Sequence, residues 1–175
     1  PESTIASFDA AIARGVTGIE FDVRLTGDGE VVVWHDPTLE AAKCVFQGED
    51  LTEALVADLT LAQLRSVDVG SRTLAAYPQQ VAAPGSRILT LAEALDLVQN
   101  RVPINLDLKV PEAIAPVIAT VQARRMVDEV VLSGCTWIQA RTARRLEPQL
   151  HVLMNVDGHL RTLLRLCSAR LALLS

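Results

Sequence analysis

Two acidic residues stand two positions apart in a segment that alternates like a β-strand. Glu20 and Asp22 are flanked by apolar residues at 19, 21 and 23, and side chains at i and i+2 of a strand point to the same face. Two carboxylates held this close repel each other unless a cation or a proton lies between them. Because oxygen-only ligands suit a hard divalent ion, the pair predicts a site for Mg²⁺ or Ca²⁺.

A histidine stands where a returning strand would bring it to these carboxylates. Residues 26–29 (TGDG) are a strong turn signal. A turn centred on 27 and 28 sets His35 opposite Glu20, and a turn centred one residue later sets it opposite Asp22. Opposed residues of a hairpin project to the same side, so either register predicts an imidazole beside the acidic pair. Its reference pKa of about 6.5 suits proton transfer.

A second strand offers one more carboxylate and a cation. Asp107 and Lys109 share a face of the alternating segment 103–109. Since ligands of α/β folds gather at the carboxyl ends of strands, Asp107 is a candidate third metal ligand and Lys109 a candidate phosphate contact. The competing interpretation is that each group lies on a solvated strand face, as in an antiparallel edge.

The elements that must position these residues alternate along the chain, which predicts βαβ units and a parallel sheet, an α/β fold. Helices are predicted at 3–14, 60–66, 90–99, 112–125, 136–146 and 158–173, and strands at 19–24, 30–34, 103–109, 129–133 and 151–155. Residues 37–59 and 68–88 are predicted to be mostly loop.

Composition narrows the function classes. The chain has 175 residues, half of them hydrophobic, and a net charge of −5, which disfavours nucleic acid as a partner. No apolar run approaches the roughly 20 residues of a membrane span. Three widely spaced cysteines, 44, 135 and 167, favour buried thiols and a reducing, cytoplasmic compartment. The abrupt start at Pro1 and the uncapped apolar end suggest a fragment.

The N-terminal motifs resemble those of glycerophosphodiester phosphodiesterases. That family typically carries Pro-Glu-Asn-Thr, Gly-x-Glu-x-Asp-Val, Thr-x-Asp-Gly and His-Asp in this order, and here they are PEST, GIEFDV, TGDG and HD. The likeness continues through ILTLAEAL and INLDLK to about residue 157. It implies a (β/α)₈ barrel of the TIM type, of which residues 1–175 would be a single partial domain lacking the first and last strands.

The resemblance also implies a metal-dependent hydrolysis of glycerophosphodiesters to sn-glycerol 3-phosphate and an alcohol, in glycerophospholipid metabolism. By position, Glu20, Asp22 and Asp107 would hold the divalent cation, Lys109 would bind the phosphate, and His35 would act as acid or base. Two departures stand out. The family's His-Arg-Gly motif is absent, and with it a second catalytic histidine and an arginine. Asp107 replaces a more common Glu.

Two other functions fit the same residues. One is a related lipid phosphodiesterase of the sphingomyelinase-D or lysophospholipase-D kind, which shares the pattern of carboxylates and histidine. The other is an inactive, truncated barrel that binds a divalent cation without turnover, which the missing His-Arg-Gly favours. The oligomeric state is left open.

Overall fold

A computed structural model describes residues 1–154 of the chain. Five helices alternate with seven strands over most of this span. The helices are α1 (Ile5–Ala13), α2 (Leu61–Arg65), α3 (Leu91–Val98), α4 (Ile114–Ala123) and α5 (Trp137–Leu146). The strands are β1 (Ile19–Leu25), β2 (Val31–Val33), β3 (Val45–Phe46), β4 (Val67–Asp68), β5 (Ile104–Leu108), β6 (Val130–Cys135) and β7 (His151–Met154). Short 3₁₀ turns lie at Val56–Asp58 and Pro111–Ala113.

Four of the helices begin at a threonine that closes a capping box. The residues are Thr4, Thr60, Thr90 and Thr136, and each hydroxyl accepts the backbone N–H three residues on while that residue's side chain accepts the threonine N–H. Such reciprocal bonds satisfy two otherwise unpaired donors and fix where the helix begins.

The main sheet has the strand order β2-β1-β5-β6-β7. Strands β1, β5, β6 and β7 are parallel neighbours, and β2 runs antiparallel to β1 at the edge. The predicted parallel sheet is therefore confirmed, with one antiparallel strand. Strands β1, β5 and β6 lie side by side, and one face of this part of the sheet carries the candidate site.

Two apolar clusters support the fold. The larger packs α1, α3, α4 and α5 against the main sheet, with Phe21, Leu106 and Leu132 among its buried members. The second lies under residues 36–89 and centres on Trp34, which is 2% exposed. A two-stranded sheet, β3 with β4, belongs to this second region. Residues 36–89 therefore have a core of their own beside the main sheet.

Most predicted elements agree with the structure to within a few residues. The predicted helix at 112–125 is instead a 3₁₀ turn followed by α4, because Pro111 and Pro116 interrupt the regular hydrogen bonding near its start. The predicted helix at 158–173 and Cys167 lie outside the described residues. None of the helices within residues 1–154 is both long and apolar enough to cross a membrane.

Both registers predicted for the β1–β2 hairpin are wrong. Val23 pairs with Val33, and the Trp34 N–H donates to the Asp22 carbonyl over 2.9 Å. Trp34 rather than His35 therefore stands opposite Asp22, and His35 lies beyond the end of β2.

The reason is the length of the turn. The two predicted registers assume a two-residue turn, but Gly27, Asp28 and Gly29 form a three-residue loop closed by the Thr26 N–H on the Glu30 carbonyl (2.9 Å). Gly29 adopts φ +86°, as in hairpins that end in a residue of left-handed conformation. The odd loop length moves every pairing by one residue.

Candidate functional site

Three carboxylates meet on one face of the paired strands β1 and β5. Glu20, Asp22 and Asp107, here called the carboxylate cluster, each offer an oxygen, and these oxygens all lie within 4.8 Å of one another. Asp22 and Asp107 are direct neighbours in the parallel register, and Glu20 shares the face of Asp22. The structure thus brings together the three residues that the sequence predicted as metal ligands.

Lys109 lies against the cluster. Its Nζ is 2.8 Å from Asp22 Oδ1 and 2.6 Å from Asp107 Oδ2, to which it donates. The two aspartate side chains are 18% and 25% exposed. Burial alone would lower the pKa of Lys109, but hydrogen bonds to both aspartates outweigh it and raise that pKa. The ammonium group is therefore charged and bridges the two strands.

Strand β6 completes the surroundings of Asp107. The Ser133 hydroxyl donates to Asp107 Oδ1 over 3.3 Å. Gly134 follows at φ +72°, and a Cβ built there would lie 2.4 Å from the same Oδ1 and 2.8 Å from the Leu108 carbonyl oxygen. Because no side chain fits in that space, glycine at 134 is what allows Asp107 to reach this position.

The cluster carries more negative than positive charge. Three carboxylates face one ammonium group. Burial and the nearby charges of Asp22 and Asp107 raise the pKa of Glu20 to about 7, although Lys109 acts to lower it. A divalent cation would balance the negative charge that Lys109 leaves unpaired and would favour the ionised form of Glu20.

The donor set fits such a cation. All three donors are carboxylate oxygens, which Mg²⁺ and Ca²⁺ prefer. Oxygens on opposite sides of Ca²⁺ lie about 5 Å apart and those across Mg²⁺ about 4 Å apart. The oxygens of the cluster, all within 4.8 Å of one another, are therefore compatible with one shared cation of this kind.

His35 belongs to a different set of contacts, here called the histidine network: His35, Asp36, Lys43 and Glu2. The ring Nδ1 lies 2.8 Å from Asp36 Oδ1. Lys43 Nζ donates to Asp36 Oδ2 in a very short hydrogen bond and to Glu2 Oε1 over 2.9 Å. Among the described residues, the side-chain partner of the His35 ring is Asp36, not the carboxylate cluster.

Arg24 connects the two sets. Its Nε and Nη2 both donate to the His35 carbonyl, over 2.9 and 2.7 Å. Arg24 is two residues after Asp22 on the same face of β1. The charges of Asp36 and Asp22 both act to raise the pKa of Arg24, although burial lowers it overall. The guanidinium group therefore lies in the field of both sets.

A cavity of about 610 Å³ adjoins the histidine network. Lys43, Trp34 and Tyr77 are among its lining residues. Since opposed residues of a hairpin project to one side, Trp34 places this cavity on the face of the sheet that also carries Asp22. The lining includes Lys43 and Glu2 of the histidine network but no member of the carboxylate cluster.

Several of these contacts were not predicted from the sequence. Gly134 had a usable signal, because a glycine within a strand often marks the close approach of another group. Asp36 adjoins the histidine, but an aspartate directly before a proline is typical of a turn and does not by itself indicate a partner for the ring. No pattern in the sequence indicates that Lys43 contacts Glu2, because 41 residues separate them.

The chain matches the model of the glycerophosphoryl diester phosphodiesterase family over residues 1–156. It is 30% identical over 158 residues to the glycerophosphodiester phosphodiesterase of Caldanaerobacter subterraneus subsp. tengcongensis, a match that covers 87% of this chain and 60% of the relative. A Bacillus subtilis glycerophosphodiester phosphodiesterase is 28% identical over 148 residues, or 80% and 47% of the two chains. The chain thus spans less than two thirds of these relatives.

Solved structures are similar in fold. A crystal structure of a putative glycerophosphoryl diester phosphodiesterase from Silicibacter pomeroyi superimposes with a TM-score of 0.80 at 30% identity, covering 88% of this chain and 59% of that one. An Oleispira antarctica phosphodiesterase in complex with the product sn-glycerol-3-phosphate gives 0.68 at 26% identity, covering 95% and 66%. The fold is of the (β/α)₈ barrel type found in these neighbours, and residues 1–154 supply its mostly parallel sheet.

Proposed function

Because the chain belongs to the glycerophosphoryl diester phosphodiesterase family, we propose that it hydrolyses glycerophosphodiesters to sn-glycerol 3-phosphate and an alcohol. The observation that carries the proposal is the carboxylate cluster with Lys109, which can hold a divalent cation beside a positive charge on one face of a parallel strand pair. The product named for the Oleispira relative, sn-glycerol-3-phosphate, agrees with this substrate class.

Glu20, Asp22 and Asp107 would hold Mg²⁺ or Ca²⁺. When bound, the cation would supply a Lewis acid that offsets negative charge on the phosphoryl oxygens. Lys109 reaches the same place, and its ammonium group can exchange an aspartate oxygen for a phosphate oxygen. Once its contacts with both aspartates are exchanged in this way, the ammonium group of Lys109 would be free to orient the diester.

Hydrolysis forms a bond between water oxygen and phosphorus and breaks the bond from phosphorus to the alcohol oxygen. One group must take a proton from water and one must give a proton to the alcohol. His35 can perform one of these transfers through its ring. The resemblance assigns the other to the histidine of His-Arg-Gly, a motif that residues 1–175 do not contain.

We further propose a role in glycerophospholipid metabolism and a cytosolic location. The location is supported by Cys44 and Cys135, which are both buried and unbridged. Burial raises the pKa of each thiol to about 11, so both remain protonated and unreactive at neutral pH.

The first test is an assay for glycerol 3-phosphate released from glycerophosphocholine, with Mg²⁺, with Ca²⁺ and with a chelator. It is run on the chain and on the same chain extended by the coding sequence that precedes Pro1. We expect turnover that the chelator abolishes. If the extension carries His-Arg-Gly, we expect turnover only in the extended chain. Sphingomyelin and lysophosphatidylcholine serve as competing substrates, and faster cleavage of either would contradict the proposal. Cation binding without any turnover would favour a binding role instead.

A further inference from the structure

The ring of His35 is exposed, but the charged groups that hold it in place, Asp36 and Lys43, are half-buried. Its side chain is 54% exposed, whereas those of Asp36 and Lys43 are 13% and 20% exposed. An isolated surface ion pair contributes little and would not hold a ring in place. Here Asp36 cannot rotate away without losing Lys43, and Lys43 is itself held by Glu2.

The carboxylate in this network is ionised. Burial alone would raise the pKa of Asp36, but the hydrogen bond and the positive charge of Lys43 act to lower it, and the pKa lies below its ordinary value. An ionised carboxylate can only accept hydrogen bonds. The Nδ1 atom 2.8 Å away must therefore carry a proton, which leaves Nε2 of a neutral ring as the atom that can accept one.

The backbone around His35 is fixed as well. Arg24 holds the His35 carbonyl with two hydrogen bonds, and the Trp34 indole N–H donates to the Thr38 carbonyl over 3.1 Å. Pro37 restricts the chain directly after Asp36. The ring therefore projects from a segment whose backbone is held in place on both sides of His35.

We propose that Asp36 and Lys43 are positioning residues for His35: together they fix the imidazole proton on Nδ1 and hold Nε2 toward the substrate. The proposal rests on the proposed function for its effect on turnover, but the tautomer exists whether or not the chain is an enzyme. A purely structural pair would stabilise the segment 36–43 without selecting the tautomer of the ring.

The tautomer is measured by NMR on the full chain with ¹⁵N-labelled histidine, at a pH where the ring is neutral. His35→Gln identifies the signals of residue 35. We expect protonated Nδ1 and unprotonated Nε2 in the wild type, a mixture of the two tautomers in Asp36→Asn, a partial change in Lys43→Met, and recovery in Lys43→Arg. A wild-type ring protonated on Nε2, or an Asp36→Asn ring unchanged from the wild type, would overturn the proposal.

Turnover supplies the second readout, in the form of the chain that the first assay shows to be active. Asp36→Asn and Lys43→Met should lower kcat on the order of tenfold, less than loss of the histidine itself, with KM within about twofold. Arg65→Met is the control, because it breaks another ion pair, Arg65–Glu93 (2.6 Å), which is not part of the network. An equal fall in kcat for the control, or an unchanged kcat in Asp36→Asn, would refute the positioning role. Failure of the hydrolysis proposal leaves the NMR result as the deciding test.

Discussion

The two halves of the candidate site are held by different means. Asp22 and Asp107 are fixed by strand register, since β1 and β5 pair residue by residue through the two positions. His35 lies past the end of β2 and is fixed by side chains: Arg24 on its carbonyl and Asp36 on its ring. The strand pairing that positions the two aspartates also stabilises the whole fold. The histidine, in contrast, is held by a few side-chain contacts, each of which a single substitution can remove.

This difference predicts that the halves can be damaged separately. Changes in the carboxylate cluster should alter cation affinity, and changes in the histidine network should alter turnover while cation affinity stays the same. Two variants test this separation directly, and two more test the contacts that support each half; the expected effects decrease in that order.

His35→Ala should lower kcat by about 10²–10⁴-fold, because it removes a group that transfers a proton. Calorimetric titration with Mg²⁺ or Ca²⁺ should give the wild-type affinity, since the ring does not contact the cluster. His151→Ala, at an exposed residue of β7, is the matched control and should keep wild-type kcat. Turnover near the wild-type value in His35→Ala would mean that this ring is structural.

Asp22→Asn should weaken divalent-cation binding by at least about 100-fold, because it removes a ligand of the cation. Even the loss of a group that only hydrogen-bonds to a ligand typically lowers metal affinity by about 10- to 100-fold. The measurement is calorimetry, with circular dichroism to show that the fold is intact. Asp9→Asn changes the charge equally on an exposed face of α1 and should bind as the wild type does. Equal affinities of the two variants would refute the ligand assignment.

Gly134→Ala should destabilise the fold by about 2–4 kcal/mol, because the new Cβ meets Asp107 and the backbone of β5 at a left-handed φ. The free energy of unfolding in urea measures it. Gly15→Ala is the control: φ is the same, +72°, but nothing lies within 4 Å of its Cβ, so it should cost only about 1 kcal/mol. If the two variants are equally stable, β6 does not press on Asp107 as described.

Asp68→Asn should destabilise the loop beside the histidine network and leave the carboxylate cluster unaffected. Asp68 accepts hydrogen bonds from the N–H groups of Gly70, Ser71 and Gly85 and from the Ser71 hydroxyl, which ties together the loop that lines the cavity. Burial works against the charge, but these bonds lower the pKa of Asp68 from 3.8 to about 2.

A carboxyl pKa that is lower in the folded state stabilises the fold above the unfolded value and stops doing so as the pH falls through the folded one. The wild type should therefore exceed Asp68→Asn in stability by about 2 kcal/mol near pH 7, and the difference should disappear between pH 4 and 2. Urea unfolding at a series of pH values measures it. A difference that does not change with pH, or a fall in cation affinity at pH 7, would contradict this account.

Strand alternation predicted the carboxylate half but not the histidine half. The period-two pattern around Glu20, Asp22 and Asp107 fixes which face each side chain takes, and parallel pairing then brings the faces together. The hairpin register failed because a Gly-Asp-Gly turn can hold two or three residues, and the choice depends on the conformation of Gly29. Lys43 and Glu2 meet through the folding of residues 36–44 around their own core, which no local pattern encodes.

The carboxylate cluster has a consequence for the stability of the chain as a whole. Asp22 and Asp107 are brought together only when strands far apart in the sequence pair, so the cluster exists in the folded chain and not in the unfolded one. Any cation that binds there shifts the folding equilibrium by mass action, by about 1.4 kcal/mol for each tenfold rise in its concentration above the dissociation constant. The ionic composition of the surroundings thus becomes part of what determines how large a fraction of this protein is folded.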